Sequence, residues 1–165
     1  MTNKTIVLLI TAVSTSLIGG LFYAYACSVT LGLGRLTDAA YLSAMQSINR
    51  AILNPVFFAS FLGTLLWLPV CTYMNFDSSL SLRFYLLLAA TLMYAIGVFG
   101  VTIFGNVPMN NLLDKVDLRS LTLQQIAEQR QKFEGPWNSL NNIRTVASFL
   151  TIILVIWACL VPNKQ

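Results

Sequence analysis

The side chains with the greatest capacity for chemistry are crowded between Asn138 and Thr145, where eight residues include three asparagines and Arg144. Asn138, Asn141 and Thr145 share a helical face, because residues three and four apart are neighbours on a helix. Amide and guanidinium groups donate hydrogen bonds. One interpretation is a set of donors that points into the mouth of a helix bundle. The alternative is that these groups cap broken helices and satisfy backbone exposed near prolines.

The composition of the chain argues against several other kinds of catalytic, metal-binding and nucleic-acid-binding site. The 165-residue chain contains no histidine, so Ser-His-Asp and Cys-His catalysis, His-ligated zinc and His-ligated haem are excluded. Its three cysteines follow no metal-binding spacing, and we expect neither a metal ion nor another cofactor. The net charge of +4 comes without a basic cluster, which argues against nucleic acid as a partner.

The same composition is typical of a membrane protein. Apolar residues make up 56% of the chain and charged residues 10%, whereas soluble domains carry about 25% charge. Four charge-free stretches are compatible with the roughly 20 residues that a helix needs to cross a bilayer. Backbone groups in lipid must be satisfied internally, so we predict an all-α fold. We expect one four-helix transmembrane bundle over residues 1–165, with spans at about 5–34, 55–75, 83–105 and 138–161.

Two shorter helices are predicted in the long connections between the spans, at about 38–53 and 122–134. The second begins at a capping box formed by Thr122 and Gln125 and ends at Gly135-Pro136. Pro108 should likewise interrupt the chain after the third span, because proline removes an amide donor from a helix. We expect both short helices to lie in the membrane interface on one side.

The polar residues are distributed on one side of the predicted bundle. With four spans, both chain ends and the connection 75–83 lie on one side of the membrane, and 35–54 and 106–144 lie on the other. Nearly every unusual polar residue falls on the second side, namely Gln46, Asn49, Asn54, Asn106, Asn110, Asn111, Asn138, Asn141, Asn142 and Arg144. This face is therefore where we expect a site.

Small side chains recur every four residues along the first span, at Ala12, Ser16, Gly20, Ala24, Ser28 and Gly32. Residues four apart lie on one helix face, and small residues let two membrane helices approach closely. We interpret this seam as a contact within the bundle. A homodimer formed through the same face is the alternative.

The basic residues predict an orientation in the membrane. Seven lysines and arginines lie on the side of the long connections, whereas Lys4, Arg83 and Lys164 lie on the other side, together with Asp77. Cytoplasmic loops carry an excess of Lys and Arg. We therefore predict a multi-pass protein of a bacterial inner membrane whose long connections are cytoplasmic.

Four sequence elements occur in order along most of the chain. They are Gly19-Gly20-x-Phe22, Met45-Gln46-x-x-Asn49 followed by Asn54-Pro55, Asn106-x-Pro108-x-Asn110-x-x-Leu113, and Trp137-x-x-Leu140-Asn141-x-x-Arg144-Thr145. With these elements the sequence resembles the anthrone oxygenase-like family of small membrane proteins, a domain family largely of unknown function. It departs from many members at Leu140, where they carry an aromatic residue.

The resemblance implies a chemistry, because fungal members are associated with oxidation of a polyketide anthrone to an anthraquinone without metal or flavin. Loss of a proton from an anthrone gives a delocalised carbanion that reacts with oxygen. The protein then needs a base, donors for the oxyanion and a flat apolar pocket. The resemblance implies catalytic donors at Asn106, Asn110, Asn141 and Arg144. It implies substrate contacts at Gln46, Asn49, Trp137, Tyr41 and Phe22, and a base at Tyr41 or Glu134.

A non-catalytic function is the competing hypothesis. The polar mouth could bind a quinone, a lipid or a small hydrophobic ligand, or the protein could be an accessory or structural subunit in the bilayer. A transporter is disfavoured, because the sequence shows no internal repeat and no intramembrane charge to relay ions. Convergence of the amides and Arg144 on an aromatic-lined cavity favours a site; bonds to neighbouring backbone alone would argue against one.

Overall fold

A computed structural model of the chain describes residues 2–76 and 81–162, and the part it describes is helical without a strand. The predicted all-α fold is confirmed, with four helices long and apolar enough to span a membrane. The chain is a multi-pass membrane protein. Its helices are α1 (Asn3–Leu33), α2 (Asp38–Ala51), α3 (Pro55–Met74), α4 (Leu82–Asp114) and α5 (Leu123–Leu160).

α2 and α3 are separated at Asn54-Pro55. The Asn54 Oδ1 accepts a hydrogen bond from the Phe57 amide at 3.0 Å, and its Nδ2 donates to the Ala51 carbonyl at 2.9 Å. Asn54 thus closes one helix and caps the next. Pro55 occupies the first position of α3, where its missing N–H would have had no helical partner.

The predicted interruption of the third span at Pro108 is wrong. α4 continues to Asp114 through two π-helical segments, Tyr94–Gly100 and Thr102–Asn106, followed by an α-helical stretch. Pro108 lies in the first turn of that stretch, where a missing N–H is tolerated. The wider π turns absorb the change in hydrogen-bond register without ending the helix.

The predicted end of a separate helix at Gly135-Pro136 is also wrong. α5 begins at the confirmed Thr122 capping box and continues through Pro136, which lies on its exposed side. Phe133 and Trp137 bury the opposite side of the same turns. An interior proline costs about 3 kcal/mol, but two buried rings of roughly 150–250 Å² each offset more than that at about 25 cal/mol per Å².

The small-residue seam of α1 does not pack within the bundle, so that interpretation is wrong. Five of its six members, from Ser16 to Gly32, are exposed, and a Cβ at Gly20 or Gly32 would meet no atom within 4 Å. The buried face of α1 runs instead through Ile18 and Gly19, where a Cβ would collide with Ile152. The homodimer through the exposed seam stays a prediction.

The middle of the bundle contains hydroxyl pairs that bridge neighbouring spans. Ser14 and Thr64 join α1 to α3 with oxygens 2.9 Å apart, and Thr72 and Thr91 join α3 to α4 at the same distance. Thr64 donates to a carbonyl one turn earlier in its own helix, and Ser14 lies 3.3 Å from the Ser60 carbonyl. In the second pair, one threonine donates to the carbonyl one turn earlier in its own helix and accepts the hydrogen of the other. These groups satisfy one another inside an otherwise apolar core.

The two long connections meet at one end of the bundle. There α2, the last turns of α4 and the first half of α5 pack together around an apolar cluster that includes Tyr41, Leu113 and Trp137. The orientation of this end stays a prediction, because Asp77 and Lys164, on which the charge count depends, lie outside the described residues.

Candidate functional site

A cavity of about 180 Å³ lies at this end of the bundle, and all five helices contribute to its wall. Apolar side chains from α1, α2 and α3 form one part, and polar groups from α2, α4 and α5 form another. We call it the Arg144 cavity. The residues predicted for a site that line it are Phe22, Asn49, Asn110, Trp137 and Arg144.

Arg144 is a buried cation without an anionic partner. Its side chain projects from α5 and the residue is only 7% exposed. No carboxylate forms an ion pair with it within the described part of the chain. Its guanidinium carbon lies 4.4 Å from the ring centre of Phe22 and 5.2 Å from that of Trp137. The two aromatic faces compensate the charge in part, and an anion in the cavity would complete the compensation.

Asn141 orients Arg144 from behind. It lies one turn earlier on α5, and its Oδ1 accepts from Arg144 Nε at 3.1 Å and from Nη2 at 2.9 Å. The remaining nitrogen, Nη1, has no hydrogen-bond partner among the described residues. Asn141 is completely buried and does not line the cavity. Its geometry makes it a positioning residue for the guanidinium.

Asn106 also lies behind the cavity wall and not in it. It belongs to the second π-helical segment of α4 and is completely buried. Its Nδ2 lies 3.4 Å from the Trp137 carbonyl, and its Oδ1 has no partner. Asn106 therefore connects α4 to α5 beneath the cavity and does not reach a ligand in it.

Trp137 and Asn110 form one unit of the wall. The indole Nε1 donates to Asn110 Oδ1 at 2.8 Å, which fixes the ring while it packs between Tyr25 and Phe133, with ring centres 5.4 and 6.2 Å away. The Asn110 Nδ2 makes no hydrogen bond within the described chain. This bond leaves the amide nitrogen of Asn110 available to a ligand.

Two further donors in the wall lack partners. The Tyr25 hydroxyl and the Asn49 Nδ2 are both buried without a hydrogen bond in the described structure, and both residues line the Arg144 cavity. Buried polar groups in proteins are nearly always hydrogen-bonded. Several unpartnered donors around one cavity therefore indicate a place for a ligand that supplies acceptors.

Gln46 and Tyr41, predicted as substrate contacts, do not line the cavity. Gln46 Nε2 donates to the Leu113 and Val116 carbonyls at 2.9 Å each, and so caps the end of α4. Tyr41 is buried beneath the Arg130 guanidinium, whose carbon lies 4.6 Å from its ring centre. Both residues hold α2 in place.

The two predicted bases are also badly placed for proton transfer. Burial raises the pKa of the Tyr41 hydroxyl, and the Glu134 carboxylate raises it further against the smaller opposite effect of Arg130. Glu134 accepts from Arg130 Nε at 2.7 Å, and Arg130 also pairs with Asp38 at 2.9 Å. Neither Tyr41 nor Glu134 lines the Arg144 cavity.

The structure adds Asp114 and Tyr25 to the site, and sequence reasoning missed both. Asp114 lies one helical turn after Asn110, at the cavity mouth, with its Oδ1 2.5 Å from Arg50 Nε. That spacing of four was the signal available in the sequence. Tyr25 lies three residues after Phe22, in α-helical register with it, so the same spacing rule could have found it.

No group of three or more cysteine, aspartate or glutamate side chains is arranged to hold a metal ion in the part of the chain that the structure describes. The polar chemistry of the cavity comes from the guanidinium groups of Arg50 and Arg144, amides, a phenol, the Thr102 hydroxyl and the Asp114 carboxylate.

Comparison with known proteins identifies a family. A family model described as anthrone oxygenase matches residues 44–154, which is about two thirds of the chain and covers α2 through most of α5. Comparisons with curated proteins and with solved structures gave no match.

Proposed function

This chain belongs to the anthrone oxygenase family, and from that premise we propose that it catalyses the cofactor-independent oxidation of an anthrone-like or other phenolic aromatic substrate by O₂. The observation that carries the proposal is the buried Arg144 guanidinium, which has no anionic partner in the described structure and lies in a cavity lined by aromatic rings. A substrate that ionises to an oxyanion supplies the negative charge that this cation lacks.

Arg144 is the principal oxyanion donor in this proposal. A phenolate or enolate oxygen binds at the free Nη1, and the Tyr25 hydroxyl and the Asn110 amide donate to the same ligand. Donors fixed in a water-poor site stabilise a developing anion more strongly than water does. Because Asn141 already holds the guanidinium, little reorganisation is needed when the anion forms.

Asp114 is the proposed proton acceptor, since it contributes the carboxylate in the cavity wall. Glu134 is held away from the cavity by a largely buried arginine, whereas Asp114 pairs with Arg50 in an exposed ion pair, a kind that contributes little stability. It takes a proton from the substrate carbon and releases it to solvent at the mouth. The carbanion, delocalised onto the oxygen at Arg144, adds O₂ to form a peroxide at that carbon. Loss of water then gives the ketone, so that CH₂ and O₂ become C=O and H₂O.

Oxygen uptake by the purified protein in lipid nanodiscs tests the proposal. We expect an anthrone to be oxidised faster than in the spontaneous reaction, and the acceleration to fall about 100- to 1,000-fold in Arg144→Ala, the usual effect of losing an oxyanion donor. Arg119→Ala is the matched control, because Arg119 is exposed and lies outside the cavity. Equal rates for the wild type and an Asn110→Ala/Arg144→Ala double variant would exclude oxygenase activity on this substrate class.

Binding without turnover is the second candidate, favoured by the size of the cavity. An apolar cavity of about 150 Å³ holds one benzene ring, so the 180 Å³ of the Arg144 cavity encloses a single ring of a larger ligand. A quinone or phenol bound in an Arg144-dependent manner, with no oxygen consumed above the spontaneous rate, would support this function over oxidation.

A further inference from the structure

A second, larger cavity follows the outside of the bundle between α1 and α3. Its volume is about 900 Å³, and its lining is mainly apolar, from Leu9 to Leu21 on α1 and from Pro55 to Trp67 on α3. At 1.5 Å per residue, the stretch from Leu9 to Leu21 covers about 18 Å along the helix. Because both helices span the membrane, this α1–α3 groove faces the acyl chains of the bilayer.

The α1–α3 groove joins the Arg144 cavity. Leu21, Ile52 and Phe57 belong to the walls of both. All three are partly exposed. The apolar groove that faces the bilayer and the cavity that contains Arg144 are therefore contiguous, with these three side chains common to both.

From this continuity we infer that the site takes a lipid-borne amphiphile, with a single hydroxylated aromatic ring in the Arg144 cavity and an alkyl or isoprenyl tail in the α1–α3 groove. The inference rests on the proposed function for its head group. The cavity volume admits one ring, the unpartnered donors bind its oxygen, and the groove has the length and apolar lining of a chain.

The groove contributes access and selectivity, with little added affinity. A tail gains little by leaving lipid for the groove, because lipid chains are as apolar as the groove side chains. Without the groove, however, a ring bound at Arg144 would draw its tail into the polar mouth. Each methylene withdrawn from apolar surroundings weakens binding about fourfold. Filling the groove should therefore penalise tailed ligands alone.

Two hydroquinone probes, one with a methyl group and one with a decyl chain, test this in nanodiscs. Isothermal titration calorimetry measures binding of each probe to the otherwise unchanged protein, so that Trp67 in the groove wall and Trp137 in the cavity wall both stay in place. Ala59→Phe fills the groove. Ala89→Phe is the matched control, since Ala89 is also an exposed alanine on a spanning helix and lines neither cavity.

We expect Ala59→Phe to weaken binding of the decyl probe at least about tenfold, the effect of withdrawing two methylenes, and to leave the methyl probe unchanged. Ala89→Phe should change neither. Equal binding of the decyl probe to the wild type and Ala59→Phe overturns the inference. Arg144→Ala tests the proposed function separately from the groove. If the methyl probe still binds to Arg144→Ala, the head-group site is wrong, whatever the groove variants show.

Discussion

The polar groups in the middle of the bundle and those around the Arg144 cavity are both buried in a membrane protein, yet they differ in how they are satisfied. Each hydroxyl pair, such as Ser14 with Thr64, has partners both across the helix interface and in the helix backbone. Around the cavity, Tyr25, Asn49 and Arg144 all retain unused donors in the described structure.

This difference distinguishes the polar groups that stabilise the fold from those that are available to bind a ligand. Serine and threonine can return their hydrogen to a carbonyl one turn earlier, so they need nothing from outside the helix. An asparagine amide or a guanidinium has too many donors for that solution. The cavity groups therefore cost stability until a ligand binds, whereas the hydroxyl pairs stabilise the bundle on their own.

The largest effect expected from this comparison is at Arg144. Arg144→Met should abolish Arg144-dependent ligand binding or turnover, a loss of about 100-fold or more, while the thermal stability of the protein stays the same or rises, because an apolar side chain replaces an uncompensated buried charge. Thermal unfolding in detergent and ligand titration measure the two properties. If Arg144→Met is strongly destabilised but still binds the ligand, Arg144 stabilises the fold and is not part of a ligand site.

Next in size is the close helix contact at Gly97. A Cβ at Gly97 would lie 2.7 Å from the Ala147 Cβ, whereas one at Gly20 meets open space. Gly97→Leu should therefore destabilise the bundle by about 1–3 kcal/mol through overpacking, and Gly20→Leu should not. Reversible unfolding in SDS compares them. Loss of a dimer in Gly20→Leu, with an unchanged monomer, would support association through the exposed seam.

A smaller effect is expected at the hydroxyl pairs. Ser14→Ala and Thr64→Val, combined in a double-mutant cycle, should show a coupling of about 0.6 kcal/mol, the average for hydrogen bonds between membrane helices. Binding of the methyl hydroquinone probe at the Arg144 cavity should not change in either variant, because neither residue lines that cavity and this probe has no tail to reach Ser14 in the groove. A change in ligand affinity at either position would show that the two regions are not independent.

The smallest effect concerns pH. Burial raises the folded-state pKa of Tyr41, with a further contribution from Glu134 and an opposing one from Arg130. Its stabilising contribution is therefore complete below the unfolded pKa of about 10 and is lost as pH rises towards the higher folded pKa. The free energy of unfolding is measured from about pH 8 to about pH 11, a range that brackets the unperturbed tyrosine pKa of about 10. It should fall more in the wild type than in Tyr41→Phe. Parallel curves would contradict this.

The sequence predicts the four spans well, because hydropathy and length determine which segments cross a bilayer. It also predicts the Thr122–Gln125 capping box. It fails at Pro108 and Pro136, where local rules favour a break. The helix continues through π-helical turns ahead of Pro108 and through the buried packing of Phe133 and Trp137 at Pro136.

Sequence reasoning placed the predicted site residues at the correct end of the molecule. It could not distinguish the side chains that line the cavity from those that lie behind its wall. Asn141 lies behind Arg144, Asn106 contacts the Trp137 carbonyl, and Gln46 caps a helix. Which side chains line the cavity depends on how each helix is rotated against its neighbours, and a single sequence does not specify that rotation. Tyr25 is different, because its spacing from Phe22 was a usable signal.

The π-helical segments have a consequence for how this protein can change. Each contains an extra residue relative to an α-helix, so deleting one residue from Thr102–Asn106 would restore α-helical winding. The wider turn already accommodates that residue, so the deletion would leave Asn110 and Asp114 facing the cavity. The same deletion at Val107, in the α-helical stretch ahead of Asn110, has no extra residue to remove and would rotate both side chains by about 100°. The π-helical segment is therefore a place where α4 can be shortened by one residue and keep its polar side chains in register.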